Sequence, residues 1–299
     1  MSQSFMNRLF LAVPWVPILL LVAAADEPTS PLKPGEPIND QSVARFLERE
    51  GKQLISTGKT LVDYKPQLDR SSCTLKLPAE GRRKLTPAEV AARAESSVVA
   101  VGSFYNCKKC SNIHTSTASG YFLTESGALA TCLHVLTANQ DCRGLVVLTR
   151  DGKLCAVREV LASDAKNDLA ILQVDGKGFA PLPLSTNAPV GSPVTVVGHP
   201  DGHFFTVTTG AISRHFLQRR KNGSAHYLSI TADFAKGSSG APVLNEFGAV
   251  VGMVNNTESI YYNEDHGEQK NFQMTMKNCS TSEALLALIQ PPSATKKAR

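Results

Sequence analysis

Short β-rich runs recur along most of this chain, and compact turn signals close them. Glu125-Ser126-Gly127, Asp151-Gly152, Asp175-Gly176, Asn222-Gly223 and Glu246-Phe247-Gly248 punctuate runs such as Ser97-Val98-Val99-Ala100-Val101 and Leu169-Ala170-Ile171-Leu172. Glycine supplies the positive φ that tight turns need, and β-branched residues fit a pleated, half-buried surface. Short strands at regular spacing restrict the chain to an all-β barrel or sandwich. With 299 residues, the chain has room for one large all-β domain or two small ones. No internal repeat stands out.

The flanks read differently. Arg8 precedes an apolar run from Leu9 to Val22, followed by Ala23-Ala24-Ala25 and Asp26-Glu27-Pro28. A positive start, an apolar middle and a small-residue cleavage site make residues 1–25 a signal peptide. An uncleaved membrane anchor is the rival reading; Pro14, Pro17 and a run shorter than the ~20 residues of a spanning helix speak against it. The expected location is secreted or periplasmic, with membrane contact only if that segment stays. Residues 26–85 form a polar leader, in which Val43, Phe46, Leu47 and Leu54 fall at near-helical spacing. Thr86-Pro87-Ala88-Glu89 is a helix start with a capping-box pair and proline at the first helical position. Ser282 to Ile289 reads as a short closing helix before Pro291-Pro292, and residues 291–299 as a basic tail.

The net charge of +5 is spread along the chain and gives no argument for nucleic acid. Seven cysteines in an exported chain predict disulfides with one thiol left over. A structural bridge among Cys107, Cys110, Cys142 and Cys155 is expected, with Cys132 a buried free thiol. Cys107-Lys108-Lys109-Cys110 has only His114 nearby, short of the four ligands of a zinc site, so neither a metal nor another cofactor is expected.

One segment carries chemistry. Lys236-Gly237-Ser238-Ser239-Gly240-Ala241-Pro242 sets a serine in a glycine-flanked turn before an apolar strand. A serine hydroxyl needs a base within hydrogen-bond reach to attack a carbonyl. Glycines on both sides let two backbone N–H groups point at one spot beside it. Upstream, Thr131-Cys132-Leu133-His134 ends a short strand near a histidine, and Asn167-Asp168-Leu169-Ala170 places an aspartate at the mouth of a β-rich run. The order His, Asp, Ser is that of chymotrypsin-like enzymes; α/β-hydrolases run Ser, Asp, His and also want Gly where Ala241 stands.

These stretches resemble the trypsin-like serine proteases, and their HtrA/Deg branch more than the digestive enzymes. Gly237 to Pro242 is similar to the branch's Gly-x-Ser-Gly-Gly-Pro signature, and Asp168-Leu169-Ala170 to its Asp-Leu-Ala segment. Val194 to Gly202 and Val207 to Ser213 resemble two further stretches in the same order. The resemblance covers roughly residues 96–290 and implies two antiparallel β-barrels within a domain over 86–290. It implies His134 as general base, Asp168 as its orienting carboxylate, Ser239 as nucleophile, and the N–H groups of Gly237 and Ser239 as the oxyanion hole. Protein or peptide substrates follow. Val135 replaces the cysteine that digestive enzymes carry after the histidine, and no activating Ile-Val-Gly-Gly terminus is present. A PDZ domain after the last strand is not expected. Asp233 lies where trypsin-like enzymes keep the residue at the floor of the primary pocket; Ala232, Phe234 and Gly252-Met253-Val254 offer an apolar alternative. A protease fold kept only as a binding module is the competing function, and it commonly loses a triad member, which this chain does not.

Overall fold

The computed structural model describes residues 30–33, 35–107, 109–139, 141–220, 223–265 and 268–292. The signal segment over 1–25 and the tail from 293 onward lie outside the described residues. No helix among the described residues is long and apolar enough to cross a membrane.

The leader holds helix α1 (Asp40–Ser56), which Asn39 caps by accepting the Ser42 N–H at 3.0 Å. Val43, Phe46 and Leu47 recur at i, i+3 and i+4, and that stripe is the buried face. Strand β1 (Cys73–Thr74) follows, then helix α2 (Pro87–Glu95). The Thr86–Glu89 capping box is formed on both sides, with Thr86 N–H donating to Glu89 Oε2 at 2.8 Å.

The first barrel is built from β2 (Val98–Asn106), β3 (Ile113–Phe122), β4 (Ala128–Cys132), a one-turn helix α3 (Leu133–Thr137), β5 (Cys142–Thr149), β6 (Leu154–Asp164) and β7 (Leu169–Val174). Its strands close in the order β2-β3-β4-β7-β6-β5, all antiparallel. The second barrel uses β8 (Pro193–Gly198), β9 (Thr206–Arg220), β10 (Gly223–Ile230), β11 (Pro242–Leu244), β12 (Val250–Asp265) and β13 (Glu268–Thr281), closed as β10-β13-β12-β11-β8-β9. This is the expected all-β double barrel. Closure leaves neither sheet with an open edge to template aggregation.

Valine, leucine and alanine fill the first barrel around Tyr121, Phe122, Leu129 and Ile171, while Val194, Ile212, Leu228 and Val243 fill the second. Helix α1 packs Phe46 and Leu47 on Phe104 and Leu148 of the first barrel and joins Phe204 and Phe205 from the second. The leader is therefore part of the packed body. At the other end, helix α4 (Ser282–Leu286) is shorter than the sequence suggests. Its chain turns into β14 (Ile289–Gln290), which pairs in parallel with β1 and so ties the leader to the C-terminal segment.

Candidate active site

His134 and Asp168 stand at neighbouring strand ends. His134 lies in the first turn of α3, directly after β4, and Asp168 directly precedes β7, the partner of β4 in the sheet. Asp168 Oδ1 accepts the backbone N–H of His134 at 2.8 Å, and Asp168 Oδ2 meets His134 Nδ1 at 2.6 Å. A carboxylate on Nδ1 keeps the ring proton there and leaves the lone pair of Nε2 to act as a base. Asp168 sits at φ 56°, a left-handed conformation that is uncommon outside glycine. Its own carbonyl accepts the Leu133 N–H at 3.2 Å, so main chain and side chain together grip the start of α3. Asp164, four residues earlier, is engaged elsewhere, where its carboxylate accepts the N–H groups of Lys166 and Asn167 and closes the turn locally.

The serine turn comes from the other barrel. Ser238 is buried, with no partner for its hydroxyl among the described residues, whereas Ser239 is half-exposed. Ser239 Oγ donates to the Asn255 carbonyl at 3.4 Å and makes no hydrogen bond to His134 among the described residues. Such loose geometry is common in an empty site and tightens when substrate binds. The N–H groups of Ser238, Gly240 and Ala241 are occupied within the turn or by Val254, while those of Gly237 and Ser239 have no acceptor among the described residues. Two unpaired donors flanking the serine match the needs of a developing oxyanion.

Glycine is required twice in this turn. At Gly237 (φ +94°) a Cβ would lie 2.4 Å from the His199 carbonyl, and at Gly240 (φ +89°) 2.1 Å from the Ser119 carbonyl. Ala241 fits in place of the glycine of the signature because Gly198 faces it; a Cβ on Gly198 would come 3.0 Å from that of Ala241.

Sequence reasoning did not single out the residues that join the two barrels here. Ser119 of β3 takes the Ser239 carbonyl on its N–H at 2.9 Å and donates its hydroxyl to the Gly237 carbonyl at 3.0 Å. Thr131 donates to the Ser119 carbonyl at 2.8 Å. Asn255 gives its side-chain amide to Asp168 Oδ2 at 2.9 Å and to Ser280 at 3.2 Å. His199 is fully buried and accepts the Phe205 N–H on Nδ1 at 3.0 Å; burial pushes its pKa down to about 4. Of these, Thr131 falls in the Thr131–His134 stretch and His199 in the Val194–Gly202 stretch that the motifs mark.

Asp233 is at the surface. Its side chain is 82% exposed, and it pairs with Lys277 Nζ at 2.8 Å. Ala232 and Phe234 on either side of it point inward and are buried.

All seven cysteines carry free thiols, so the expected bridge is absent. Cys155 pairs with Val147, five residues along β5 from Cys142, a span of about 17 Å that no disulfide bridges. Cys132 is buried, donates to the Val254 carbonyl at 3.2 Å, and has its thiol pKa raised by burial and then by the Asp168 charge. Cys107 and Cys110 lie 3.3 Å apart at Sγ, and the Cys110 thiol with nearby N–H groups draws Cys107 down to about 7.

Two closed antiparallel barrels, with a His–Asp pair on one and a glycine-flanked serine turn on the other, define the trypsin-like class of peptidase fold. Residues 118–253 match the family described as the trypsin-like peptidase domain. Over 138 residues the chain is 34% identical to a protein of Rhizobium meliloti (strain 1021) named "Probable periplasmic serine endoprotease DegP-like", covering 45% of this chain and 27% of that one. It is 27% identical over 177 residues to serine endoprotease DegS of Salmonella typhimurium (strain 14028s / SGSC 2262), covering 56% and 49%. Among solved structures, the HtrA-type protease AlgW with decapeptide superposes with a TM-score of 0.54 at 19% identity, over 68% of this chain and 66% of that one. Residues 118–253 are thus similar to the trypsin-like peptidase domain, and the relatives and solved structures that resemble the chain are proteases of the HtrA and Deg type. The chain spans roughly half or less of the length of these curated relatives.

Proposed function

We propose that this chain is a serine endopeptidase that cleaves protein or peptide substrates through His134, Asp168 and Ser239. The observation that carries the reading is the 2.6 Å contact of His134 Nδ1 with Asp168 Oδ2, because an imidazole so oriented is a base able to activate a serine hydroxyl at neutral pH. In the proposed reaction Ser239 Oγ attacks the scissile carbonyl and its proton passes to His134 Nε2. The N–H groups of Gly237 and Ser239 stabilise the oxyanion, and His134 protonates the leaving amine. Water then hydrolyses the acyl-enzyme by the reverse proton path. One oxyanion donor contributes about 3–4 kcal/mol of transition-state stabilisation in comparable sites.

The pocket beside Ser239 is read as apolar, taking small aliphatic residues at the cleaved bond. Buried Ala232 and Phe234 support this, as does the pairing of exposed Asp233 with Lys277. Export through the 1–25 signal segment agrees with the periplasmic description of the Rhizobium relative; N-terminal sequencing of the mature protein from expressing cells tests it, and an intact Met1 in exported material overturns it.

A fluorophosphonate probe should label the purified protein at Ser239, and Ser239→Ala should abolish labelling and casein cleavage. The contact of Ser239 Oγ with the Asn255 carbonyl favours a second reading, a protease fold used for binding alone. A folded wild type that resists the probe would decide for it.

A further inference from the structure

The tip of the β2–β3 hairpin gathers three ligating side chains away from the catalytic groups. Asn106 pairs with Ile113 and Tyr105 with His114, so Cys107 and Cys110 both lie beyond the last pair of the hairpin. The x-x spacing of Cys107 and Cys110 folds both thiols to one side of the turn, with Sγ atoms 3.3 Å apart. Antiparallel pairing brings His114 back to the same place, its Nε2 3.0 Å from Cys110 Sγ. The three ligand atoms all lie within 4.8 Å of one another. The ring of Tyr105 lies against that of His114, with centroids 5.7 Å apart, and limits its swing.

We propose that Cys107, Cys110 and His114 form a three-ligand site for a thiophilic divalent cation of the Zn²⁺ class. Bonds of 2.3 Å to sulfur and 2.0–2.1 Å to nitrogen in a tetrahedron need an S···S edge of about 3.8 Å and an S···N edge of about 3.6 Å. Opening the Cys107–Cys110 and Cys110–His114 edges by about half an ångström each meets both values, with the third edge within 4.8 Å, a movement that a hairpin loop absorbs without disturbing the barrel. Two thiolates and one imidazole are a donor set that borderline-soft metals prefer and that calcium or magnesium do not.

The fourth position faces outward. Cys110 is exposed and Cys107 and His114 are half-buried, so water or an outside ligand completes the shell. Sequence reasoning sets metal aside for want of a fourth protein ligand; a site with one open position does not need it. A simple Cys107–Cys110 disulfide would leave the convergence of His114 unexplained.

The test uses the full mature chain, reduced and freed of metal. Co²⁺ titration should give a thiolate-to-cobalt charge-transfer band saturating at one equivalent per chain, displaced by Zn²⁺ and not by Mg²⁺. Cys110→Ser should weaken Zn²⁺ binding by about 100-fold and His114→Ala by about 10-fold, with unchanged far-ultraviolet circular dichroism. Cys107→Ser serves as the second thiol variant should Cys110→Ser misfold. Absence of the band in reduced wild type, or binding that survives both thiol substitutions, overturns the proposal. So does a purified protein whose Cys107 and Cys110 are found disulfide-bonded and which, once reduced, takes up no Co²⁺. None of these readouts depends on peptidase activity.

Discussion

Asn255 reaches both halves of the proposed triad: its side-chain amide donates to Asp168 Oδ2 at 2.9 Å, while its backbone carbonyl accepts from Ser239 Oγ at 3.4 Å. Asp168 Oδ2 is also the oxygen that holds His134 Nδ1. The amide therefore fixes the carboxylate rotamer that in turn sets the imidazole plane, and the carbonyl parks the serine hydroxyl. Asn255→Ala removes the first contact and keeps the second. A hydrogen bond to a charged group contributes about 1.5–3 kcal/mol, so kcat/KM on a peptide substrate should fall by roughly 10- to 100-fold. KM should change little, since Asn255 is buried away from substrate. Steady-state kinetics check this; a loss carried by KM with kcat unchanged would count against the positioning role.

Gly240→Ala tests the other side of the turn. Position 240 has φ +89°, where an L side chain costs about 1–2 kcal/mol, and the new Cβ would also meet the Ser119 carbonyl at 2.1 Å. That carbonyl already accepts from Thr131, so it has no free direction in which to retreat. The turn must shift, and Ser239 with it. Urea denaturation should show a loss of about 2 kcal/mol or more, with fluorophosphonate labelling slowed at least about 100-fold. Ordinary labelling kinetics in the folded variant would refute the argument that Ser119 braces the nucleophile.

Buried His199 makes acid stability depend on pH. Its folded pKa lies near 4, below the ~6.5 of an unfolded histidine. Above pH 6.5 both states are neutral and the group adds no pH dependence. As the pH falls from 6.5 to about 4 the unfolded state takes up a proton that the folded state refuses, so stability is lost across that window. The full difference corresponds to roughly 3 kcal/mol. His199→Asn keeps an acceptor for the Phe205 N–H but does not titrate, so its unfolding free energy should decline less steeply than wild type between pH 6.5 and 4. Parallel profiles would show that His199 is not the responsible group.

The all-β class was legible because it rests on local wording, while the pairing into two barrels came from the resemblance that the local motifs carry. A glycine turn, a capping box or a short β-rich run declares itself within a few residues, and the Thr86–Glu89 box forms as its spacing implies. Ser119 and Asn255 were not legible. Their partners are 118 and 87 residues away, at Gly237 and Asp168, and meet them only when two closed barrels face each other. Nothing near a serine or an asparagine in a strand announces such a contact. The shortened closing helix has the same origin, since Ile289 and Gln290 leave the helix to pair with Cys73 and Thr74. For the cysteines, export and an odd count argued for bridges; strand register keeps Cys142 and Cys155 apart, while Cys107 and Cys110 lie side by side with free thiols.

Asp233 separates two pictures of the substrate pocket. A carboxylate at a pocket floor is desolvated and selects a cationic side chain, because the buried charge is satisfied only when the right partner arrives. Here the Asp233 side chain is 82% exposed and meets Lys277, whose side chain is largely covered. A surface pair of this kind contributes about 0–1 kcal/mol, and its charge is already met. Asp233→Ala should therefore leave kcat/KM for peptides with Ala or Val at the cleaved bond within about 2-fold of wild type, and Lys or Arg at that position should be poor in both proteins. Phe234→Ala, which empties space among buried apolar neighbours, should instead relax the preference toward larger aliphatic residues and lower stability by about 3 kcal/mol. A peptide library profiled with the three proteins resolves the matter. Efficient cleavage after Lys or Arg that disappears in Asp233→Ala would mean that the loop rearranges on binding and carries Asp233 into the pocket.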